Sequence, residues 1–184
     1  MPAPRGGEKE RKVTELSTFS GQNSDIADEL RRAHFGDAWH GPAVGELVHG
    51  LAAVEAAARP VAGAHTIWEI VLHLAAWRQE VARRLATGHL APPEAGDWPR
   101  VPAVSEAAWA AATAALAVST EAVIAAVAAF PTARLAEQAG DARDPALGSG
   151  VTWHVMLHGL AQHDAYHGGQ IALLKRALAV KDEK

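Results

Sequence analysis

Four of the ten histidines of this chain lie within eighteen residues of one another, in the segment WHVMLHGLAQHDAYHGGQ. They are His154, His158, His163 and His167, and they form two pairs with i, i+4 spacing. Each pair therefore lies on one face of a helix, one turn apart. At about 100° per residue, the two pairs lie on roughly opposite sides of that helix. Histidine is a poor helix former, so four in one helix indicate a chemical role.

The apolar residues of the same segment predict which pair faces the protein interior. One stripe is formed by Trp153, Met156, Leu160, Ile171, Leu174 and Leu178. His163 and His167 fall within or beside this stripe, whereas His154 and His158 fall on the far side, at the surface or in an interface. Two buried imidazoles one turn apart can direct their nitrogens at one metal ion. The pair taken alone is equally compatible with histidines that only form hydrogen bonds.

Length and composition exclude several classes of protein. A chain of 184 residues is long enough for one compact domain. It has no cysteine, so a metal site would use histidine, carboxylate and water. The net charge of -4 does not favour a nucleic-acid partner, and we expect none. No apolar run is judged long enough to span a bilayer, and no signal peptide is evident, so a soluble cytoplasmic protein with no membrane partner is expected.

Abundant alanine and sparse β-branched residues favour helices. Residues 1–22 are polar and are expected to form a flexible tail, followed by a single domain over 23–184. Capping residues, apolar periodicity and breakers predict the boundaries of its elements. The predicted helices cover about 24–35, short pieces after Pro42 and over 51–59, then 65–87, 105–130 and 151–179. The fold expected is all-α: an antiparallel four-helix bundle with short extra N-terminal helices.

Two long connections separate these helices. Residues 88–104 contain four prolines and are expected to be an irregular crossover loop, of a length that often covers a site. Residues 132–150 are expected to contain a short apolar turn and then a flexible stretch.

A fifth histidine, His73, lies at the edge of the apolar stripe of the 65–87 helix, one turn before Trp77. A lone histidine in this position is usually an ordinary packed residue. Its meaning changes only if the bundle brings it to His163 and His167.

The segment WEIVLHLAAW in one helix, combined with HDAYHGGQI in the last, resembles the DinB-like/YfiT-like superfamily of metalloproteins. The stretches DAWHGPAV and ARPVAGAHTIWE are similar to a subgroup of it, and the resemblance extends from about Ile26 to Leu178. It implies a four-helix bundle in which His73, His163 and His167 bind one divalent metal ion. Gly168 departs from the family pattern, in which an arginine commonly stands at this position.

Three neutral imidazoles leave coordination positions open for water or substrate, which is typical of reactive metal sites. Nitrogen ligands suit zinc, nickel, copper or iron, and we take zinc or nickel as the first expectation. Glu69 and Gln170 are candidates to hydrogen-bond the ligand imidazoles from outside. Trp39, His40 and Trp77 are candidates to line a substrate pocket.

The function expected from the resemblance is a metal-dependent transferase that joins a low-molecular-weight thiol to a small electrophile. The attacking group would be a metal-bound thiolate or water, and no side chain is singled out as catalytic. Two alternatives stay open: a metal-dependent hydrolase of small amides or esters, and a metal-binding stress-response protein that is not an enzyme. A homodimer, formed through the His154/His158 face and the alanine-rich helices, is compatible with each of them.

Overall fold

A computed structural model describes residues 7–182, with side chains for residues 21–180. Six α-helices and one short hairpin follow one another along the chain. They are α1 (Gly7–Phe35), α2 (Val44–Val48), α3 (Ala53–Ala57), α4 (Ile67–Thr87), α5 (Glu106–Ala129), a 3-10 helix (Thr132–Ala136), β1 (Gln138–Asp144), β2 (Ser149–Thr152) and α6 (Trp153–Asp182). The predicted all-α bundle is confirmed, with short helices α2 and α3 between its first two long helices.

Local signals set the ends of α4 and α5 where the sequence predicts them. Thr66 accepts a hydrogen bond from the amide of Glu69, and the Glu69 carboxylate accepts one from the amide of Thr66, so α4 begins with a capping box. Gly88 ends α4 with φ 72°, a left-handed conformation that glycine adopts without strain. Ser105 caps α5 through the amide of Ala108.

Helix α4 packs against both α5 and α6, and α1 packs against α5 and α6 on the other side of the bundle. Trp68 near the start of α4 contacts Trp109 near the start of α5, with ring centroids 5.2 Å apart. These two helices therefore run in the same direction. By contrast, Arg84 near the end of α4 contacts Met156 near the start of α6, so α4 and α6 are antiparallel. The connection over 88–105 accordingly has to return along the length of the bundle.

Helix α1 is longer than the sequence analysis predicted. Residues 7–22 are helical, although they were expected to be a tail, while residues 1–6 lie outside the described part of the chain. Ser24, where the helix was predicted to begin, lies inside it, and its hydroxyl donates to the carbonyl of Gly21. The physical reason is propensity: residues 8–16 include three Glu, two Lys, one Arg and one Leu, all good helix formers, and the sequence between Gly7 and Ser24 contains no proline.

The stretch expected to be flexible forms an antiparallel hairpin, β1–β2, immediately before α6. Ala139 pairs with Val151 and Asp144 pairs with Ser149, with an irregular register between them. The Asp144 carboxylate accepts a hydrogen bond from the amide of Ala146 at 2.9 Å and closes the turn. The strands escaped prediction because they are short and largely polar, without alternation of apolar and polar residues.

Helix α5 corrects the statement, made from the sequence, that no apolar run is long enough to span a bilayer. By length and composition alone, α5 is apolar enough to cross a membrane, although a buried helix of a bundle passes the same test. Here its Leu116, Val123 and Val127 are fully buried against the other helices. Of the alanines that raise its hydropathy, Ala112 is buried and most of the others are exposed.

Candidate metal centre

His73, His163 and His167 meet between α4 and α6. The Nε2 atoms of His73 and His163 are 2.9 Å apart, and those of His167 and His163 are 3.0 Å apart. One ring nitrogen from each histidine lies within 4.8 Å of those of the other two. The antiparallel pairing of α4 and α6 thus brings together residues separated by 90 positions in the sequence.

The outer nitrogen of His73 is held by the crossover loop. Its Nδ1 donates to the backbone carbonyl of Asp97 at 2.7 Å, and the Asp97 carboxylate lies 3.2 Å from the same atom. The indole N–H of Trp77 donates to that carboxylate at 2.6 Å. This arrangement places the proton of His73 on Nδ1 and turns the lone pair of Nε2 towards the other two histidines.

Gln170, a candidate from the sequence, orients His167 in the same way that Asp97 orients His73. The Nδ1 of His167 donates to Oε1 of Gln170 at 2.6 Å. The lone pair of its Nε2 is therefore also directed at the centre of the cluster. Because Gln170 is three residues after His167, one turn of α6 supplies both groups.

Burial keeps all three imidazoles uncharged. Burial is the largest cause of a pKa of about 3 for His163 and about 4 for His167; the neighbouring histidines add to the lowering of both, and the hydrogen bond to Gln170 opposes it for His167. Burial also lowers the pKa of His73, against the opposing influence of Asp97. Neutral imidazole is the form that binds metal, so these histidines need not release a proton first.

The donor set and its spacing fit a divalent transition-metal ion. Imidazole nitrogens bind such ions at about 2.0–2.1 Å, which puts two ligands at right angles about 3.0 Å apart and two tetrahedral ligands about 3.4 Å apart. The two closest nitrogen pairs, at 2.9 and 3.0 Å, are near the first value. The cluster of His73, His163 and His167 could therefore hold a metal ion, as the sequence predicted.

Trp98 covers the histidine cluster from the crossover loop, a contact that the sequence analysis did not predict. Its ring stacks on His73, with centroids 4.0 Å apart and 10° between the planes. On its other face it stacks on His65 at 3.5 Å and 2°. Trp98 and Asp97 together make the loop one wall of the site. The only available signal was the position of a Trp in a long proline-rich loop.

A second unpredicted contact is an ion pair buried between α4 and α6. Arg78 Nη2 lies 2.9 Å from Asp164 Oδ1, and both side chains are about 1% exposed. Arg78 Nη1 also lies 3.4 Å from Nδ1 of His34 on α1. Burial raises the pKa of Asp164, although Arg78 opposes this effect. The pair joins the two ligand-bearing helices one residue away from His163.

A cavity of about 380 Å³ opens beside the cluster and has His73 and His163 in its wall. Most of the remaining wall is apolar and comes from α4, the hairpin and the start of α6. These apolar lining residues include Trp77, Val81, Leu147, Val151, Met156 and Leu160. This volume is suitable for a small organic molecule. Trp77 is therefore where the sequence analysis expected it.

Buried Arg84 fixes two walls of this cavity. Its guanidinium donates to the Glu80 carboxylate at 2.8 Å, to the Leu147 carbonyl of the hairpin at 2.7 Å and to the Ala91 carbonyl of the crossover loop at 2.8 Å. Arg84 and Glu80 are both buried. Hydrogen bonds to a charged guanidinium are strong, and one side chain therefore holds the loop and the hairpin against α4.

Trp39 and His40 do not meet the histidine cluster, which corrects their predicted place in its pocket. They line a separate cavity of about 400 Å³ together with residues of α1 and the far side of α6. Trp39 is fully exposed. The reason is helix geometry: His163 and His167 face α4, whereas the turn after α1 runs along another side of α6.

Glu69 also has a role different from the one suggested by sequence. Its carboxylate accepts hydrogen bonds from the Thr66 amide and from Arg59, and lies 3.5 Å from Nδ1 of His65. Glutamate at the third position of a helix reaches back towards the N-terminus, away from a residue one turn further on. Asp97 occupies the position beside His73 that was expected for Glu69.

The second histidine pair, expected at the surface or in an interface, is half-buried, and His158 contacts α1. Nδ1 of His158 is 2.6 Å from the Glu29 carboxylate, and the rings of His154 and His158 are 4.4 Å apart. Gly168, on the other hand, is buried against α2. Val44 and Leu47 fill the space that a side chain at this position would enter.

The fold and the cluster define a helical-bundle protein with three histidines placed to hold one metal ion beside a small-molecule cavity. The family model described as the DinB superfamily matches residues 38–171. The chain belongs to this superfamily, which confirms the resemblance seen in its sequence. Comparison with curated proteins and with solved structures gave no match.

Proposed function

We propose that this protein is a divalent-metal-dependent transferase that joins a low-molecular-weight thiol to a small electrophile. The observation that supports this most directly is the cavity of about 380 Å³ that has His73 and His163 in its wall. A reactive group held by the histidines would face a space large enough for a second reactant.

In this proposal His73, His163 and His167 bind the ion, and Asp97 and Gln170 keep the first and third rings in the required orientation. A bound divalent ion would lower the pKa of a coordinated thiol and so supply a sulfur nucleophile near neutral pH. The mostly apolar cavity wall would reduce the amount of water beside that sulfur, which favours attack on carbon over hydrolysis.

The reaction balances without a redox partner. The thiol releases its proton to solvent, and a sulfur lone pair forms the new carbon–sulfur bond. The bond between that carbon and the leaving group breaks, and the leaving group departs with the bonding electrons. In this proposal the protein accelerates the step mainly by positioning the reactants, because both are confined in one cavity.

The composition of the cavity wall favours this reaction over hydrolysis of an amide. An amide leaving group needs a proton donor in the transition state. Among the described residues that line the cavity, the titratable groups are His73, His163, Asp97, Arg84 and Arg143. The histidines are committed to the ion, and the Asp97 carboxylate accepts the Trp77 N–H. A displacement with a good leaving group needs no such donor.

The test uses metal-loaded protein, 1-chloro-2,4-dinitrobenzene and a series of thiols, including cysteine and coenzyme A, with absorbance of the thioether as the readout. We expect thiol-dependent acceleration that disappears in His163→Ala. His154→Ala is the matched control, because it removes a histidine from the opposite face of the same helix, and it should retain the activity.

Absence of acceleration with every thiol tested would refute the transferase proposal. Release of product from small amides or esters without thiol would instead support a hydrolase. Full metal occupancy combined with neither activity would indicate a metal-binding protein that is not an enzyme.

A further inference from the structure

We propose that Arg143, at the base of the hairpin turn, recognises a carboxylate on the thiol substrate. This inference rests on the proposed transferase function and specifies its substrate class: a low-molecular-weight thiol with an acidic group. Arg143 lines the same cavity as His73 and His163. A ligand with its sulfur at the histidines can therefore extend towards the arginine.

The backbone at Arg143 is held in place by its neighbour across the hairpin. A Cβ atom added to Gly150 would lie 2.5 Å from the Arg143 Cα and 2.6 Å from its backbone nitrogen. Gly150 has φ 73° and permits this close approach. The hairpin tip is also fixed by the bond from Arg84 to the Leu147 carbonyl. The backbone that carries Arg143 is therefore held in a fixed position.

The guanidinium of Arg143 has more N–H donors than it uses within the protein. It donates through Nη1 to the Ser149 carbonyl at 3.1 Å, whereas an arginine carries five N–H donors in all. No carboxylate among the side chains of residues 21–180 lies within 4.0 Å of its charged nitrogens. Arginine and carboxylate match in geometry and can form two parallel hydrogen bonds.

The cavity wall contains two other charged side chains, Arg84 and Asp97. Arg84 is paired with buried Glu80, and Asp97 is hydrogen-bonded to Trp77 and lies beside His73. Arg143 is the positive charge of this wall that has no carboxylate partner among the described residues, whereas Asp97 keeps its negative charge beside His73. An anionic group is the ligand feature that such a wall attracts.

The test compares two thiols of the same chain length, 3-mercaptopropionate and 3-mercapto-1-propanol, on protein loaded with Co²⁺. Binding is followed by the sulfur-to-cobalt charge-transfer absorption, independently of turnover. The variants are Arg143→Gln, Arg143→Lys and the control Arg176→Gln, which removes an exposed arginine of α6 outside the cavity wall.

We expect wild-type protein to prefer the propionate. Arg143→Gln should reduce that preference by about fivefold, the upper end for an exposed charge pair, and leave binding of the propanol unchanged. Arg143→Lys should retain part of the preference, and Arg176→Gln all of it. Added NaCl should also weaken the preference in the wild-type protein.

A preference that is unchanged in Arg143→Gln, or that is insensitive to salt in the wild-type protein, overturns the inference and leaves the transferase proposal standing. The first result is also expected if the carboxylate binds the metal directly. An Arg143-dependent KM for the electrophile 4-chloro-3-nitrobenzoate, with thiol binding unaltered, assigns the arginine to the electrophile and likewise overturns it. Absence of a sulfur-to-cobalt band with both thiols refutes the transferase proposal and this inference together.

Discussion

Gly168 lies between His167 of the candidate metal centre and its hydrogen-bonding partner Gln170, and it is buried where α2 packs on α6. A Cβ atom at this position would lie 3.5 Å from Leu47 Cδ1 and 3.9 Å from Val44 Cγ2, both ordinary van der Waals distances. A methyl group therefore fits, but a longer side chain would have to displace α2. The position can be tested with two substitutions, Gly168→Ala and Gly168→Arg. The second introduces the arginine that is common at this position in the DinB-like family.

The two substitutions should change stability in opposite directions. Alanine in place of glycine inside a helix stabilises it by about 1 kcal/mol, and here the added methyl group also makes apolar contacts. Arginine overpacks the same interface, at a cost of about 1–3 kcal/mol. Its charge adds a further desolvation cost unless the guanidinium reaches water. At about 2–4 °C per kcal/mol for a protein of this size, the Tm of the two variants should differ by roughly 5–15 °C.

The assay is thermal unfolding followed by circular dichroism, with urea unfolding to give the free energy. Gly169→Ala and Gly169→Arg are the matched controls. Gly169 is exposed, and a Cβ atom there would meet nothing within 4 Å. Arginine should therefore be tolerated at 169 and destabilising at 168. Equal stability of Gly168→Arg and Gly169→Arg would refute the packing of α2 against this turn of α6.

Three further results are expected. Removal of one ligand in His73→Ala should weaken metal binding by more than about 100-fold, because loss of a residue that only hydrogen-bonds a ligand typically costs 10–100-fold. The control His154→Ala should bind metal normally. Equal metal content of the two purified variants would exclude His73 as a ligand. Burial, followed by the nearby charge of Arg78, lowers the pKa of His34 to about 3 from 6.5. Between pH 3 and pH 6.5, His34 therefore binds a proton in the unfolded chain but not in the folded protein. Because of His34, the metal-free protein should lose up to about 1.4 kcal/mol of unfolding free energy per pH unit as the pH falls below 6.5. Urea unfolding at pH 7, 6 and 5 should show a smaller loss in His34→Gln, and equal slopes would contradict the reasoning. Finally, Arg84→Met removes the buried one of the two arginines that hydrogen-bond Glu80, leaves Arg83 in place, and should cost up to about 3 kcal/mol. The double variant with Glu80→Leu should recover part of this in the same urea assay, and no recovery would mean that the arginine acts mainly through the two loop carbonyls.

The helices and half of the metal site could be predicted because their signals are local. Thr66, Gly88 and Ser105 cap their helices through hydrogen bonds or dihedral angles that involve only nearby residues. His163 and His167 are one turn apart, so their common face follows from helix geometry. The assignment of His73 to the same site depended on the family resemblance, since nothing in its own helix distinguishes it from a packed histidine.

The groups around the histidines could not be predicted in the same way. Asp97 and Trp98 belong to a loop without periodicity, and no local rule brings that loop to His73. Arg143 lies on a hairpin whose strands are short and polar, although the Asp-Pro and Gly residues around its turn were a usable signal. Glu69 was assigned because it is one turn before His73, and Trp39 because it lies in a turn between helices. The cap at the start of α4 directs Glu69 elsewhere, and the turn after α1 runs along another side of α6.

The sequence by itself therefore determined the helical class, the main helix boundaries and two imidazoles on one face of α6 that could bind a metal, because each depends on contacts within a few residues. The tertiary structure alone decided that His73 joins them, that the loop over 88–105 supplies the partner of His73, and that the hairpin closes a cavity beside them. Those features depend on the direction in which α4 passes α6 and on the buried Arg84, whose bonds to the loop and the hairpin join segments that are far apart in the chain.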